Sequence, residues 1–371
     1  MKKILFIFGT RPEIIKIAPV VLACKKEQDI RPILCNTGQQ RELSQQTLKF
    51  FGLNVHHNLD VMSPNQTLAG VQTKILTKLQ DIISTDKFDY VLVQGDTMSA
   101  FCGALIGFYN KIPVGHIEAG LRSYDLNHPF PEEALRQCIS RIASLHFAPT
   151  INSKNALLKE NVLEDKIFVT GNTVVDALKI LGNKKDYTLL EKEGIPLDKE
   201  IVLITAHRRE NHGERLDSIM EAIKDLAQKY PTNNFVIPVH PNPNVKNKIY
   251  KAFTDIGNII LKDPLGYLTL VQLMSKTKLI LTDSGGIQEE APSFGCPTLV
   301  LRDTTERMEG VEAGFAKLVG ANKEKILKEA CKILDKSFTE TRLNTLQNPY
   351  GDGETSKRII KIISKDVKDD K

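Results

Sequence analysis

Short apolar runs alternate with segments of helical spacing along the first half of this chain. The runs are "KILFIF" (3–8), "RPILCN" (31–36), "DYVLVQ" (89–94), "IPVGHIE" (112–118), "SLHFAP" (144–149) and "KIFVT" (166–170). Between most of them, segments such as 66–84 and 97–109 carry apolar residues at helical intervals. Continuous apolar strands joined by helices are typical of a parallel sheet that is covered on both faces. The alternation therefore predicts an α/β fold.

The same alternation starts again after a polar stretch that has no period, from about 182 to 200. The runs of the second half are "IVLITA", "NFVIPV", "NIILK", "KLILTD" and "PTLVL". We therefore predict two doubly wound, Rossmann-like domains, with ligand sites at the carboxyl ends of the strands and in the cleft between the domains. The predicted boundaries are an N-terminal domain at 1–182, a linker at 183–200, a C-terminal domain at 201–353 and a C-terminal helix within 354–371. This helix could pack on either domain, including back on the N-terminal one.

Length and composition agree with two globular domains. A chain of 371 residues exceeds the roughly 100–200 residues of one typical domain. The net charge of +5 is small and is not gathered into basic tracts, so we expect binding neither to nucleic acid nor to a membrane surface. The six cysteines form no C-x-x-C pair, and we expect reduced thiols in the core.

The chain is expected to be cytoplasmic. The start "MKKILFIFGTRPE" resembles a signal peptide only until Arg11 and Glu13 interrupt the apolar run. No apolar run is long enough to span a bilayer. We also expect a homodimer.

Charged residues collect where the predicted strands end. In the first half they are mostly carboxylates, in the clusters Gly9-Thr10-Arg11-Pro12-Glu13, Gly95-Asp96-Thr97, Glu118-Ala119-Gly120-Leu121-Arg122 and, at a proline-marked helix start, Glu132-Glu133. In the second half they are mostly His and Arg, in the clusters His207-Arg208-Arg209-Glu210-Asn211, His240-Pro241-Asn242-Pro243 and Arg302 to Arg307. The carboxyl ends of parallel strands meet at one edge of a sheet. We therefore expect these clusters to form the functional site.

Ordinary structural roles would explain many of these residues singly: Asp96 and Glu132 as helix caps, Arg302 and Arg307 as surface ion-pair partners, and His116 and His146 as core histidines. His207, beside two arginines, is harder to explain in this way. The coincidence of five or six charged clusters at the same sheet edges favours a functional interpretation. No H-x-x-x-H or H-E-x-x-H spacing occurs, so we predict no metal site.

The stretch "LILTDSGGIQEEAPSFG" (279–295) predicts an anion site. Glycines at a strand-to-helix turn allow close approach of a ligand, and the first amides of a helix lack partners within the helix. The two carboxylates one turn later, Glu289 and Glu290, would repel an anion, and the vicinal hydroxyl groups of a sugar would suit them better. An anion site next to carboxylates that suit sugar hydroxyls would fit a nucleotide. The alternative is an ordinary connection, because strand-Gly-helix turns are common in α/β proteins. Neither a P-loop nor a G-x-G-x-x-G pattern follows the first strand.

Nine motifs together resemble the non-hydrolysing UDP-N-acetylglucosamine 2-epimerases. They are "FGTRPEIIK", "VQGDTMSA", "GHIEAGLRS", "PFPEEALRQ", "HFAPT", "VTGNTVVDAL", "TAHRRENHGE", "TDSGGIQEEAPSFGCPTLVLRDTTER" and "NPYGDGETS". They follow the family's order over nearly the whole chain. The resemblance implies the two-domain glycosyltransferase B architecture. It also implies reversible inversion at carbon 2 of UDP-N-acetylglucosamine without a cofactor, through elimination of UDP to 2-acetamidoglucal, which would supply activated sugar for surface polysaccharide.

The resemblance also implies roles for single residues. The catalytic positions of the family match Asp96, Glu118, Glu132 and His207. Its nucleotide-binding positions match Arg11, Lys16, Ser284, Gly285, Gly286, Glu290 and Arg307. The expected ligands are UDP-N-acetylglucosamine and UDP. Glu289 is interpreted as a solvated neighbour of Glu290.

Some family members carry a second, allosteric substrate site, whose positions match Gln39, Glu133, Arg208 and His240. Two further positions depart from it, because Glu42 and Asn65 stand where those members have Gln and Arg. Gln94 also stands where the family often has His. Other functions stay open at this stage: a hydrolysing 2-epimerase, an epimerase of another UDP-acetamido sugar, a UDP-sugar glycosyltransferase or a UDP-sugar sensor.

Overall fold

The computed structural model describes residues 1–182, 187–240 and 242–369, and the side chains of these residues apart from 41–43, 209, 243–245 and 366–369. The chain divides into two compact units, one of residues 1–180 together with 350–371, the other of residues 181–349. Of the predicted linker, residues 183–186 lie outside the described residues. Residues 188–192 of that segment form a short helix in which Leu190 is buried.

In the first unit, the residues that the structure describes form seven strands and the helices that connect them. In chain order its elements are β1 (Lys2–Phe8), α1 (Arg11–Cys24), β2 (Ile30–Asn36), α2 (Arg41–Phe50), β3 (His57–Asn58), α3 (Leu68–Thr85), β4 (Tyr90–Gln94), α4 (Met98–Tyr109), β5 (Val114–Ile117), α5 (Glu132–Ile142), β6 (Leu145–Ala148), α6 (Ile151–Lys159), β7 (Ile167–Val169) and α7 (Thr173–Gly182). The sheet order is β3-β2-β1-β4-β5-β6-β7 with all pairs parallel. Successive residues of β1 are buried on both faces, from Ile4 to Phe8, as a covered parallel sheet requires.

The described residues of the second unit repeat this organisation with six strands. Its elements are α8 (Thr188–Lys192), β8 (Glu200–Thr205), α9 (Glu214–Lys229), β9 (Asn233–Pro238), α10 (Pro243–Phe253), β10 (Ile259–Lys262), α11 (Tyr267–Lys276), β11 (Thr277–Thr282), α12 (Gly285–Glu290), β12 (Thr298–Val300), α13 (Met308–Glu312), β13 (Ala316–Leu318), α14 (Lys323–Leu334) and α15 (Phe338–Thr341). The sheet order is β10-β9-β8-β11-β12-β13, again parallel. The predicted α/β fold with two doubly wound, Rossmann-like halves is therefore confirmed.

The last helix, α16 (Thr355–Asp369), belongs to the first unit, where it packs against α1. Its first turn is anchored by Asp176 on α7, whose carboxylate accepts hydrogen bonds from the amides of Thr355 (3.2 Å) and Ser356 (2.7 Å). A carboxylate at a helix start satisfies amides that have no partner within the helix. Asp176 therefore fixes where α16 begins.

All six cysteines are free thiols. Cys24, Cys35, Cys102 and Cys296 are buried, as predicted, and burial raises the pKa of each of these thiols to about 12. The prediction of a core position is wrong for Cys138, which is exposed on α5. No helix among the described residues combines the length and the apolar character needed to cross a membrane.

Candidate active site

In the first sheet, Asp96 and Glu118 follow the carboxyl ends of two adjacent parallel strands, β4 and β5. Gly95 opens the turn after β4 with a φ of +69°, and its carbonyl lies 2.8 Å from Nε2 of His116 on β5. Complete burial lowers the pKa of His116 to about 3, so the ring is neutral and must carry its proton on Nε2 to donate to this carbonyl. His116 is thus a core histidine that fixes the turn before Asp96.

Glu118 has a φ of +66°, which is unusual for a residue with a side chain and is typical of functional sites. Its Oε2 accepts a hydrogen bond from Gln94 Nε2 at 3.0 Å and is paired with the ammonium group of Lys16 on α1. The structure therefore brings a predicted acid-base carboxylate together with a predicted nucleotide-binding lysine. It also gives Gln94 a role, as a neutral donor to Glu118.

Asp96 is paired with a residue that the sequence analysis missed. Arg136 on α5 donates from Nη2 to Asp96 Oδ2, and its Nη1 lies 3.2 Å from Glu133 Oε2. The Arg136 side chain is only 7% exposed, so its pairing with Asp96 is shielded from water. Glu132 lies at the first position of α5, and its carboxylate makes no hydrogen bond or ion pair with the described side chains. Glu133 precedes Arg136 by three residues on the same helix, and this i,i+3 spacing is the signal that would have indicated the arginine.

Glu13 is a second residue that the sequence analysis left without a role. Its carboxylate is buried and accepts hydrogen bonds from the amides of Gly9 (3.1 Å) and Thr10 (2.8 Å) and from the hydroxyls of Thr10 and Thr97 (both 2.8 Å). Burial raises the pKa of Glu13 to about 7 in spite of these bonds. Glu13 joins the turn before Arg11 to the turn that carries Asp96. The capping-box pattern Thr10-x-x-Glu13 would have indicated it.

In the second sheet, β8 and β11 are adjacent, so the residues that follow them meet at one edge. The amides of His207 and Arg208 donate to Oδ2 of the buried Asp283, each at 2.9 Å. The Nδ1 atom of His207 lies 3.3 Å from Asp283 Oδ1. The imidazole also stacks on the ring of His240, with centroids 5.3 Å apart and an interplanar angle of 7°.

The protonation of His207 depends on this environment. Desolvation lowers its pKa from the ordinary value, and the charge of Asp283 opposes that change, whereas His240 and Arg208 add to it. The imidazole is therefore predominantly neutral at pH 7 in the ligand-free protein. An anion bound beside it would favour the imidazolium.

The predicted Ser-Gly-Gly turn follows β11, with Ser284 as the N-cap residue of α12. A Cβ atom on Gly285 would lie 2.9 Å from Cζ of Arg307, so only glycine lets the guanidinium approach this closely. A Cβ atom on Gly286 would meet only the Ser284 hydroxyl, at 3.9 Å. The turn therefore has an arginine on one side and open space on the other, which suits an anion.

The interpretation of Glu289 as a solvated neighbour is wrong. Its side chain is only 2% exposed, and Oε1 accepts a hydrogen bond from Arg307 Nε at 3.0 Å. Arg307 also pairs with Glu306; burial alone would raise the pKa of Glu306, but the charges of Arg307 and Arg302 lower it to about 2. Glu289 thus holds Arg307 against Gly285. Glu290 is buried as well, at 8% exposure.

Several predicted residues have structural partners of their own. Arg302 pairs with Glu210 and Glu306, which agrees with its interpretation as an ion-pair partner. His146 is buried, and desolvation lowers its pKa to about 4, as expected for a core histidine.

Residues matched to the second substrate site lie in both units. Gln39 Oε1 accepts a hydrogen bond from the Ser99 hydroxyl at 2.5 Å. The carboxylate of Glu133 is fully buried and accepts from the amides of Ser123 (2.9 Å) and Tyr124 (3.1 Å). Asn65 has a φ of +56° and is exposed, and the side chain of Glu42 lies outside the described residues.

The two sets of groups differ in their chemistry. The first unit presents carboxylates that are paired with cations, and such groups can give and take protons. The second unit presents an imidazole, an arginine and a glycine turn, which can bind a phosphate anion. Within the described ranges, no group of three or more His, Cys, Asp or Glu side chains is arranged to hold a metal ion.

Comparison with known proteins gives concordant results over the whole chain. The sequence model of a family described as UDP-N-acetylglucosamine 2-epimerase matches residues 22–364. A curated relative, the UDP-N-acetylglucosamine 2-epimerase of Neisseria meningitidis, is 47% identical over 369 residues, which cover 98% of this chain and 99% of the relative.

Solved structures resemble the chain to a similar extent. The crystal structure of UDP-GlcNAc 2-epimerase from Neisseria meningitidis bound to UDP-GlcNAc has a TM-score of 0.90 at 47% identity, covering 98% of this chain and 100% of that one. The enzyme from Methanocaldococcus jannaschii in complex with UDP-GlcNAc and UDP has a TM-score of 0.83 at 37% identity, covering 98% of this chain and 99% of that one.

Proposed function

Because the chain belongs to the UDP-N-acetylglucosamine 2-epimerase family, we propose that it interconverts UDP-N-acetylglucosamine and UDP-N-acetylmannosamine by inverting carbon 2 of the sugar. The observation that supports this most directly is the different chemistry of the two sets of groups. Cation-paired carboxylates end the strands of the first sheet, and an oriented imidazole and an arginine-backed glycine turn end those of the second. We propose that the conversion keeps UDP attached overall and supplies activated sugar for surface polysaccharide.

The chemistry explains why both sets are needed. The hydrogen on carbon 2 is not adjacent to a carbonyl, so a carboxylate cannot remove it from the ground state at neutral pH. Departure of UDP from carbon 1 places positive charge beside that hydrogen and acidifies it. Loss of the proton then gives 2-acetamidoglucal and UDP. Return of a proton to the opposite face, with re-addition of UDP, completes the inversion.

The second unit is assigned to the nucleotide. Arg307 and the amides of Ser284, Gly285 and Gly286 would bind the diphosphate, and Glu290 would accept hydrogen bonds from the ribose hydroxyls. His207, once protonated beside the diphosphate, would stabilise the charge that develops on the departing group.

The first unit is assigned to proton movement, by Asp96, Glu118 and Glu132. Lys16 supports this assignment, because its ammonium group pairs with the carboxylate of Glu118 and holds it in place for proton transfer. Arg136 pairs with Asp96 in the same way. Arg11 and Lys16 are the further nucleotide-binding candidates of this unit.

Product analysis tests the proposal. The full-length protein is incubated with UDP-N-acetylglucosamine, and nucleotide sugars, UDP and free sugar are separated by anion-exchange chromatography. We expect UDP-N-acetylmannosamine to form while the total amount of nucleotide sugar stays constant, and a folded Asp96→Asn variant to lose most of this activity. Stoichiometric release of free N-acetylmannosamine and UDP would instead identify a hydrolase, and an unchanged substrate would refute both activities.

A further inference from the structure

Asp283 is buried in the second unit without a role in the function proposed so far. It lies directly after β11, and its side chain has no exposure to solvent. Its Oδ2 atom accepts three hydrogen bonds, from the amides of His207 and Arg208 and from Asn211 Nδ2, each at 2.9 Å. Asn211 also donates to the carbonyl of Leu301 at 3.0 Å, which ties this carboxylate to the strand edge. The orientation of the Asp283 carboxylate is therefore fixed by the backbone around it.

The other oxygen, Oδ1, is buried and has no hydrogen-bond partner within the described part of the chain. Its nearby polar neighbour is Nδ1 of His207, at 3.3 Å. A buried acceptor without a donor is costly, by roughly 1–3 kcal/mol in proteins. A proton on Nδ1 of His207 would satisfy it, whereas a lone pair on Nδ1 would face the carboxylate oxygen and be repelled.

We propose that Asp283 is a positioning residue for the reaction: it holds His207 in the form that carries a proton on Nδ1, so that Nε2 is the nitrogen presented to the diphosphate. The inference rests on the proposed function, because it concerns how His207 serves the departure of UDP. In the neutral ring, Nε2 is then unprotonated and takes up a proton when the anion binds. The imidazolium donates from Nε2 to the diphosphate while Nδ1 stays paired with Asp283.

The other described groups that act on His207, His240 and Arg208, do not provide this control. His240 stacks face to face on the ring, and such stacking does not distinguish one ring nitrogen from the other. Arg208 contributes an amide to Asp283 and a positive charge that opposes protonation of His207. Asp283 is the group that raises the pKa of His207 against desolvation. It thus governs both which nitrogen is protonated and how readily the second proton is added.

Nitrogen NMR of the full-length protein labelled with ¹⁵N-histidine tests the proposal without requiring turnover. The chain has eight histidines, and the signals that disappear in a His207→Asn variant identify the ring of interest. At a pH where the His207 ring is neutral, we expect the wild-type protein to carry the ring proton on Nδ1. A proton on Nε2 would overturn the proposal, and this measurement needs no variant of Asp283.

Asp283→Asn is the informative variant. The amide oxygen must take the place of Oδ2, where three donors converge, so the amide NH₂ group faces Nδ1 of His207. We expect the His207 proton to move to Nε2. Asn211→Ala, which removes one bond to the same carboxylate but leaves Oδ1 beside Nδ1, is the matched control and should keep the proton on Nδ1. An unchanged protonation pattern in folded Asp283→Asn would contradict the proposal.

Kinetics give the second readout. Asp283→Asn should lower kcat for UDP-N-acetylglucosamine by about two orders of magnitude or more, because His207 would donate from Nε2 only as a neutral ring and would no longer form the imidazolium that stabilises the departing diphosphate. KM should change much less. Because the reaction needs the imidazolium and a carboxylate that favours it is gone, the alkaline limb of the kcat–pH profile should move to lower pH. Normal kcat and an unshifted profile would overturn the inference. If the wild-type protein does not epimerise the substrate at all, the proposed function is wrong. The NMR measurement still shows which ring nitrogen of His207 carries the proton.

Discussion

At the scale of single residues, two carboxylates of the first unit are each held by a cation from another element. Lys16 on α1 pairs with Glu118, and Arg136 on α5 pairs with Asp96. The groups themselves could be predicted, because a polar residue directly after an apolar strand is visible in the sequence. Their partners could not, since Lys16 and Glu118 are 102 residues apart in the chain and only the packing of α1 on the sheet brings them together.

A residue-scale prediction concerns nucleotide binding by Glu290. Replacement by Ala should weaken UDP binding by about 1.5–3 kcal/mol, because a charged acceptor for the ribose hydroxyls is lost. Titration calorimetry with UDP measures the change. Glu324→Ala, on an exposed position of α14 in the same unit, should bind UDP normally. An unchanged affinity for UDP in the Glu290→Ala variant would show that Glu290 has only a structural role.

A second residue-scale prediction concerns acid stability and His116. Its pKa is lowered to about 3 in the folded state, so below the ordinary value of 6.5 the unfolded chain binds a proton that the folded chain does not. The contribution of His116 is thus fully present above pH 6.5 and is lost progressively as the pH falls towards 3.

His116→Gln keeps an NH donor for the Gly95 carbonyl but cannot titrate. Between about pH 4 and 6, the free energy of unfolding should fall less steeply with acidification in the His116→Gln variant than in the wild-type protein. The two slopes should differ by about 1.4 kcal/mol per pH unit. His146 and Glu13, whose pKa values are also shifted, are present in both proteins and cancel in the difference. Urea unfolding at several pH values measures both slopes, and equal slopes would disprove the neutral, buried state of His116.

At the scale of elements, the site is built where strands end and helices begin. Long apolar runs made most strands predictable, and the glycine turn indicated α12. β3 and β13 were missed because they contain only two and three residues and carry no apolar run of their own. Such strands form because a neighbouring strand offers free backbone groups, and this depends on tertiary structure rather than on local sequence.

The prediction for the secondary-structure elements concerns Glu13, which links the start of α1 to the start of α4. Glu13→Ala removes an acceptor from two buried amides and two hydroxyls. We expect the free energy of unfolding to fall by about 2 kcal/mol or more. Turnover should also fall, because the turns that carry Arg11 and Asp96 loosen.

Urea unfolding, compared with that of the exposed Glu27→Ala variant, gives the measurement. A loss of stability no larger than that of Glu27→Ala would show that Glu13 does not hold the two turns together.

At the scale of the whole molecule, the repeated alternation of strands and helices was sufficient to predict two doubly wound halves. The attachment of α16 was not predictable, because an amphipathic helix can cover either sheet. It is decided by Asp176, 180 residues before Ser356 in the chain, and by the amide of Asn172, which donates to the carbonyl of Tyr350 at 2.7 Å. Long-range hydrogen bonds of this kind leave no periodic signal in a sequence.

Regulation is the prediction that belongs to the whole molecule. The resemblance of the sequence to its family implies that Glu42 and Asn65 stand where some members have Gln and Arg in a second substrate site. We expect a diphosphate there to lose a bidentate contact and to meet an added negative charge. We therefore expect the enzyme to convert UDP-N-acetylmannosamine without added UDP-N-acetylglucosamine. Progress curves in this direction should be linear from the start. A lag that a trace of UDP-N-acetylglucosamine abolishes would show that the second site operates.

We propose that carbon 2 of the sugar is inverted by elimination and re-addition of UDP. Proton NMR of UDP-N-acetylglucosamine incubated with the protein in deuterated water tests it most directly. In the proposed mechanism the proton removed from carbon 2 exchanges with solvent before a proton returns, so we expect deuterium at carbon 2 of both nucleotide sugars, with UDP still attached to each. Formation of UDP-N-acetylmannosamine that retains its original hydrogen at carbon 2 would contradict the mechanism.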